Sequence, residues 1–108
     1  MSIPYDLIET AELAVDPVAK RKALKTAIAQ MMAMDVSSAD VAYALGYAWY
    51  LMPDDAQERL MQAEQHLRVA LRTMPKHLYA RLYLAHCYFD SAVYADALSP
   101  LSNFECDA

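Results

Sequence analysis

Glycine is almost absent from this chain. Its 108 residues include one glycine and two cysteines, while 57% of them are hydrophobic. So little glycine, with abundant alanine, leucine and methionine, favours helices joined by short turns. The chain also has no glycine-rich phosphate-binding loop, no nucleophile elbow and no Cys-His catalytic signature, so the common enzyme motifs are missing.

Long apolar runs and positive charge are scarce as well. No apolar run approaches the roughly 20 residues that a bilayer span needs. Residues 1–15 contain Asp6, Glu9 and Glu12 but no lysine or arginine, which is the wrong charge for a signal peptide. The net charge of −5 argues against a nucleic-acid ligand, because phosphate binding needs a basic face. We therefore expect a cytoplasmic, bacterial protein without a membrane or nucleic-acid partner.

Cysteine and histidine are too few and too scattered to indicate a metal or cofactor. We expect Cys87 to be a small buried residue and Cys106 to be a thiol in the tail, without a disulfide. Neither His66 nor His77 has a second histidine three or four residues away. We therefore expect no metal and no cofactor.

Apolar residues at helical spacing predict an all-α fold of six helical segments. The first runs from Pro4 to Ala14. The second has Asp16 as its N-cap and Pro17 as its first helical residue, and continues to about Met34. The others cover Ala39–Met52, the stretch from Asp54 to Met74, Leu78–Asp90, and the chain from Val93 onward, with a turn at Ser91–Ala92 before the last. Together they predict three antiparallel hairpins in one domain, at about 4–35, 38–75 and 77–105.

Each of the longer segments has an apolar face. The second should point Leu24, Ala27, Ile28 and Met31 inward. The fourth should do the same with Leu60, Ala63, Leu67, Ala70, Leu71 and Met74.

Two stretches share one register of small and bulky residues. The first is Ala42–Leu45–Gly46–Trp49 followed by Ala63–Leu67–Ala70–Leu71–Pro75, and the second is Leu84–Ala85–Tyr88 followed by Tyr94–Ala97–Leu101. Small residues recur where two helices of a hairpin must touch, and a proline closes the first unit. The chain therefore resembles the tetratricopeptide repeats, closely over 39–77 and more loosely over 78–104. The resemblance implies a short α-solenoid of stacked hairpins.

In that family the first helix of each hairpin lines a concave groove. Carried over by position, the resemblance implies a protein-binding face of Asp40, Tyr43, Tyr47 and Tyr50 on the third segment, and Tyr79, Leu82, Tyr83, His86, Phe89 and Asp90 on the fifth. Independently of the family, the tyrosines of the third segment fall at i, i+4 and i+7, which is one helical stripe. Tyrosine rings suit an interface because they offer apolar area, a polar tip and a small entropy loss.

Two readings of this stripe remain open. Aromatic stripes at helical spacing often belong to a core. The interface reading is favoured because the same segments carry a second stripe for packing, Ala42, Leu45 and Trp49 on one and Leu84, Ala85 and Tyr88 on the other.

The leading functional interpretation is non-catalytic binding of a protein or peptide, as an adaptor or a dedicated chaperone. One alternative is an immunity protein that neutralises a bacterial toxin, since a small acidic protein suits a basic active site. A small helical enzyme is the second alternative. The apolar residues Val93, Leu98, Leu101 and Phe104 also predict self-association through the last hairpin.

Overall fold

Helices make up all the regular structure that is described. The computed structural model describes residues 2–53 and 56–98, and over these ranges the chain forms α1 (Tyr5–Leu13), α2 (Pro17–Met32), α3 (Ala39–Leu51), α4 (Ala56–Thr73) and α5 (Leu78–Leu98). The all-α prediction is confirmed. None of these five helices combines the length and the apolar character that crossing a bilayer requires.

α2 starts at the residue that the sequence predicts. Asp16 is the N-cap, and one of its carboxylate oxygens accepts a hydrogen bond from the backbone N–H of Val18 at 3.1 Å. Pro17 occupies the first helical position, where its missing N–H costs nothing. Ser38 is the N-cap of α3, but its side chain makes no capping hydrogen bond.

The predicted turn at Ser91–Ala92 is wrong. α5 continues through both residues and reaches Leu98 without a break. Neither residue is glycine or proline, and alanine is the strongest helix former, so nothing there forces the helix to stop. The part of the predicted sixth segment that followed, with Pro100, Leu101 and Phe104, lies outside the described residues, as does Cys106.

α3 is the central helix of the described structure. It contacts each of the other four helices, whereas the remaining contacts join sequence neighbours, α1 with α2 and α4 with α5. Because α3 touches both α1 and α5, the surfaces of these three helices adjoin.

The buried residues form two apolar clusters that meet at α3. The amino-terminal cluster consists of Ile8, Ala11, Leu24, Ala27, Met31, Val41, Ala44, Leu45, Ala48 and Met52. The carboxy-terminal cluster consists of Ala42, Leu60, Ala63, Leu67, Ala70, Ala80 and Cys87. Trp49 is half-buried and packs against both clusters. The predicted inner faces of α2 and α4 are confirmed, except that Met74 is exposed.

α3 lies close to α4 at the single glycine. A Cβ atom added at Gly46 would lie 2.6 Å from Cγ of Leu67 and 3.1 Å from the carbonyl oxygen of Ala63. Both distances are too short for a carbon atom to fit without movement. The small residue predicted at this position is therefore what lets α3 lie so close to α4.

The second stripe of α5 differs from the prediction. Leu84 is half-buried against the carboxy-terminal cluster, but Ala85 and Tyr88 are exposed. The interpretation of Ala85 and Tyr88 as packing residues is therefore wrong. The Tyr88 hydroxyl instead accepts a hydrogen bond from Arg68, whose guanidinium also pairs with Glu64 at 2.7 Å.

Candidate functional site

Aromatic rings from α3 and α5 meet along one continuous surface. We call it the tyrosine cluster; its rings belong to Tyr43, Tyr47, Tyr50, His77, Tyr79, Tyr83 and His86. Five tyrosines and one histidine of this set were singled out by sequence, and the structure brings them together. His77, which lies just before α5, is a member that the sequence analysis did not assign to the face.

Tyr83 is the centre of the cluster. Its ring centroid lies 4.8 Å from that of Tyr47 and 5.6 Å from that of Tyr50, with the ring planes tilted in both pairs. Tyr43 and His86 are its other ring neighbours, at 6.3 and 5.7 Å. Tilted arrangements at these separations are favourable for aromatic pairs, so the rings support one another's orientation.

The spacing of the tyrosines on α3 produces this surface. Tyr43 and Tyr47 are one turn apart and their rings are stacked, 6.1 Å between centroids and 9° between planes. Tyr50 continues the stripe by another turn. Because α3 touches α5, the stripe faces Tyr79, Tyr83 and His86, which are spaced by helical turns on the neighbouring helix.

The rings are partly buried rather than fully enclosed. Tyr43, Tyr47, Tyr50 and Tyr83 are half-buried, and each packs against one of the two apolar clusters. Tyr79 and His86 are exposed. The surface thus contributes to the fold through one side of its rings and presents the other side to solvent.

One end of the cluster carries a hydrogen bond between α3 and α5. The Tyr50 hydroxyl donates to Oδ2 of Asp90 at 2.9 Å. Burial and this acceptor raise the pKa of Tyr50 to about 12. Arg59 supports the same residue, because it donates to the Tyr50 carbonyl at 2.9 Å and lies over the ring, 5.9 Å from its centroid.

The other end of the cluster involves α1. Burial, then the adjacent Glu12 carboxylate, raises the pKa of Tyr47 well above its usual value. Burial, then the neighbouring Tyr83, raises the pKa of Tyr43 to about 12. These phenols therefore stay protonated near neutral pH, where they act as hydrogen-bond donors and acceptors but not as bases.

An open groove lies between α1 and α3 beside the cluster. It has a volume of about 330 Å³ and is lined by Tyr5, Ile8, Glu9, Glu12, Tyr43 and Tyr47. Sequence reasoning did not assign any of the α1 residues to the site. A signal was present, since Tyr5, Glu9 and Glu12 are spaced i, i+4 and i+7 and so share a helical face.

The remaining predicted residues lie at the margins. Asp40 is exposed at the start of α3. Burial of the Tyr5 side chain and, to a smaller extent, the negative charge of Asp40 raise the pKa of Tyr5. Leu82 and Phe89 are 49% and 67% exposed on α5. Nothing in their surroundings tests whether these three residues bind a partner.

A second cavity is lined by residues of α2, α3 and α4 and by Met52. Its volume is about 260 Å³ and it is lined by Lys25, Trp49, Met52, Glu58 and Arg59. Two of its five lining residues are cationic, which distinguishes it from the groove between α1 and α3.

Cys87 has the properties of a core residue. Its thiol is free and its side chain is 1% exposed, as predicted. Burial raises the pKa of this thiol to about 11, so it remains protonated and is a poor nucleophile. Across residues 2–53 and 56–98, no group of three or more histidine, cysteine, aspartate or glutamate side chains is placed to hold a metal ion.

Comparison of the chain with protein-family models, with curated proteins and with solved structures finds no match to any of them. The functional interpretation therefore depends on the geometry of the site itself.

Proposed function

We propose that this chain is a non-catalytic module that binds a protein or peptide across the tyrosine cluster. The observation that carries the proposal is the continuity of the surface, in which half-buried rings from α3 and α5 adjoin the open groove at α1. Rings held by the apolar clusters on one side are already ordered, so a partner gains aromatic contact at little entropic cost.

We propose in addition that the helices are arranged as in a tetratricopeptide repeat. In such an arrangement α1, α3 and α5 line the inner face, while α2 and α4 lie behind them. The contacts of α3 with α1 and α5, and its close approach to α4 at Gly46, are the features expected of it. A shallow inner face of this kind would accept an extended segment or a helix of the partner.

Affinity capture from the native host tests the proposal when it is paired with single-residue variants. Tyr83→Ala and His86→Ala remove two rings from the cluster, and Tyr88→Ala removes an exposed ring elsewhere on α5. A specific partner should be retained by the parent chain and by Tyr88→Ala but bind at least about tenfold more weakly to the other two variants.

Two controls complete this experiment. Thermal unfolding by circular dichroism establishes that the variants are folded, and His86→Ala is informative even if Tyr83→Ala is unstable, because His86 is exposed. A partner that binds all three variants equally well would place the interface elsewhere and overturn the proposal.

A toxin-neutralising immunity protein is the second candidate, and the acidic groove favours it. Glu9 and Glu12 line that groove without a lysine or arginine among its lining residues, which suits the basic active site of a nuclease-like toxin. Under this reading the captured partner is an enzyme whose activity is lost when the chain is added. A partner with no such activity would favour the adaptor or chaperone reading.

A further inference from the structure

The two helices that form the groove carry charge of one sign. α1 contains Asp6, Glu9 and Glu12, and α3 contains Asp40, but neither helix contains lysine or arginine. Glu9 and Glu12 line the groove, and Asp40 is near enough to Tyr5 to raise its pKa. The lining of this groove is therefore acidic, and a positively charged group would be attracted to it.

The groove also has the aromatic surfaces that a cation prefers. Tyr5, Tyr43 and Tyr47 contribute rings to its walls. A guanidinium or ammonium group over the face of a tyrosine ring is attracted by the ring quadrupole, and more strongly where water is excluded. Glu9 and Glu12 are exposed, so their carboxylates are open to an incoming group.

Glu12 and Tyr47 line the same groove from opposite helices. The Glu12 carboxylate is close enough to raise the pKa of Tyr47, and a carboxylate has about four acceptor sites in total. The carboxylate therefore has acceptor capacity for a guanidinium fork or an ammonium group close to the Tyr47 ring.

We infer that the groove between α1 and α3 binds an arginine or lysine side chain presented by the partner polypeptide. This inference rests on the proposed function and names the chemistry of the partner: a segment with a basic residue that enters the groove while neighbouring residues lie on the tyrosine cluster. The basic side chain is sandwiched between tyrosine rings and neutralised by Glu9 and Glu12.

The test is a nuclear magnetic resonance titration of the full chain with three heptapeptides. They are identical except that two central positions are both arginine, both lysine or both glutamate. The cationic peptides should shift resonances of Tyr5, Glu12, Tyr43 and Tyr47, and the glutamate peptide should not. Binding should weaken about tenfold when sodium chloride rises from about 50 to about 500 mM.

Matched variants distinguish binding in the groove from a general attraction of cations to the negatively charged protein. Glu9→Gln with Glu12→Gln removes two charges from the groove while keeping the side-chain shape. Asp35→Asn with Glu58→Gln removes two charges from exposed positions outside it. The first pair should weaken binding of the arginine peptide about tenfold and the second pair less than about twofold.

The results that would contradict this inference differ from those that would contradict the proposed function. Equal binding of the glutamate peptide, or equal weakening by both pairs of substitutions, would overturn the inference alone. A captured partner that needs Tyr83 but tolerates the loss of both glutamates would overturn it too and leave the proposed function intact. A partner that tolerates Tyr83→Ala, His86→Ala and both glutamine substitutions would overturn both.

Discussion

α3 and α5 carry similar aromatic stripes, but only α3 is enclosed. α3 contacts the other four helices and buries six residues, Val41, Ala42, Ala44, Leu45, Gly46 and Ala48. Over the described part of α5, only Ala80 and Cys87 are buried, and its packing partners are α4 and α3. A shared sequence register therefore does not imply shared burial, because the number of neighbouring helices that a face meets decides how much of it is buried.

The largest expected difference between these helices is in the stability lost when a leucine is replaced by alanine. Leu45→Ala on α3 should lower the free energy of unfolding by about 2–5 kcal/mol, because Leu45 is fully buried and a cavity would remain. Leu82→Ala on α5, where the side chain is 49% exposed, should cost less than about 1 kcal/mol. Urea denaturation followed by circular dichroism measures both, and similar losses would show that α5 is as enclosed as α3.

A smaller effect is expected from a single methyl group at the contact of α3 with α4. Gly46→Ala should destabilise the protein by about 1–2 kcal/mol, since overpacking against Leu67 outweighs the gain in helix propensity. The reverse change on α5, Ala85→Gly, should cost about 1 kcal/mol through propensity alone, because Ala85 is exposed. Thermal unfolding of both variants provides the check; a stabilised Gly46→Ala variant would disprove the close approach.

Removal of one tyrosine hydroxyl should have a still smaller effect on the free energy of unfolding. Tyr50→Phe deletes the hydrogen bond to Asp90 and should cost about 1 kcal/mol, because the bond is partly buried and its acceptor is charged. Tyr88→Phe deletes an exposed bond with Arg68 and should change stability by less than about 0.5 kcal/mol. Equal effects in chemical denaturation would mean that the α3–α5 surface is as open to water as the outer side of α5.

The smallest effect on stability is expected on the exposed apolar stripe of α5. Leu78, Leu82, Phe89 and Val93 are all exposed and separated by whole turns of the helix. If two copies of the chain associate through this stripe, Leu82→Glu should convert a dimer to a monomer and leave the unfolding free energy of the monomer within about 0.5 kcal/mol. Light scattering over a range of concentrations measures this, and a parent chain that is monomeric throughout would contradict self-association.

Local patterns predicted the fold well where one interaction dominates. The Asp16–Pro17 cap, the inner faces of α2 and α4, and the need for a small residue at Gly46 all depend on helical spacing and one or two contacts. The prediction of a turn at Ser91–Ala92 was wrong because it was based on the register of the repeat and not on the residues themselves. Helix propensity at those two residues favours continuation.

The candidate site was predictable only in part. The stripe on α3 and its counterpart on α5 follow from spacing, and their meeting follows from the packing of the two helices. The groove depends on where α1 lies against α3, which no spacing within one helix determines. Tyr5 and Glu12 were missed for this reason. His77 and the pairing of Tyr50 with Asp90 were missed because they depend on how α5 and the residues just before it lie against α3.

Trp49 gives the molecule a built-in optical reporter. It is the single tryptophan of the chain, and it packs against both apolar clusters. The wavelength of its fluorescence emission should therefore shift when water enters either the amino-terminal or the carboxy-terminal cluster. A single coincident shift in fluorescence and ellipticity would identify the two halves as one cooperative unit, whereas two steps would show that α3 can release one cluster while it keeps the other.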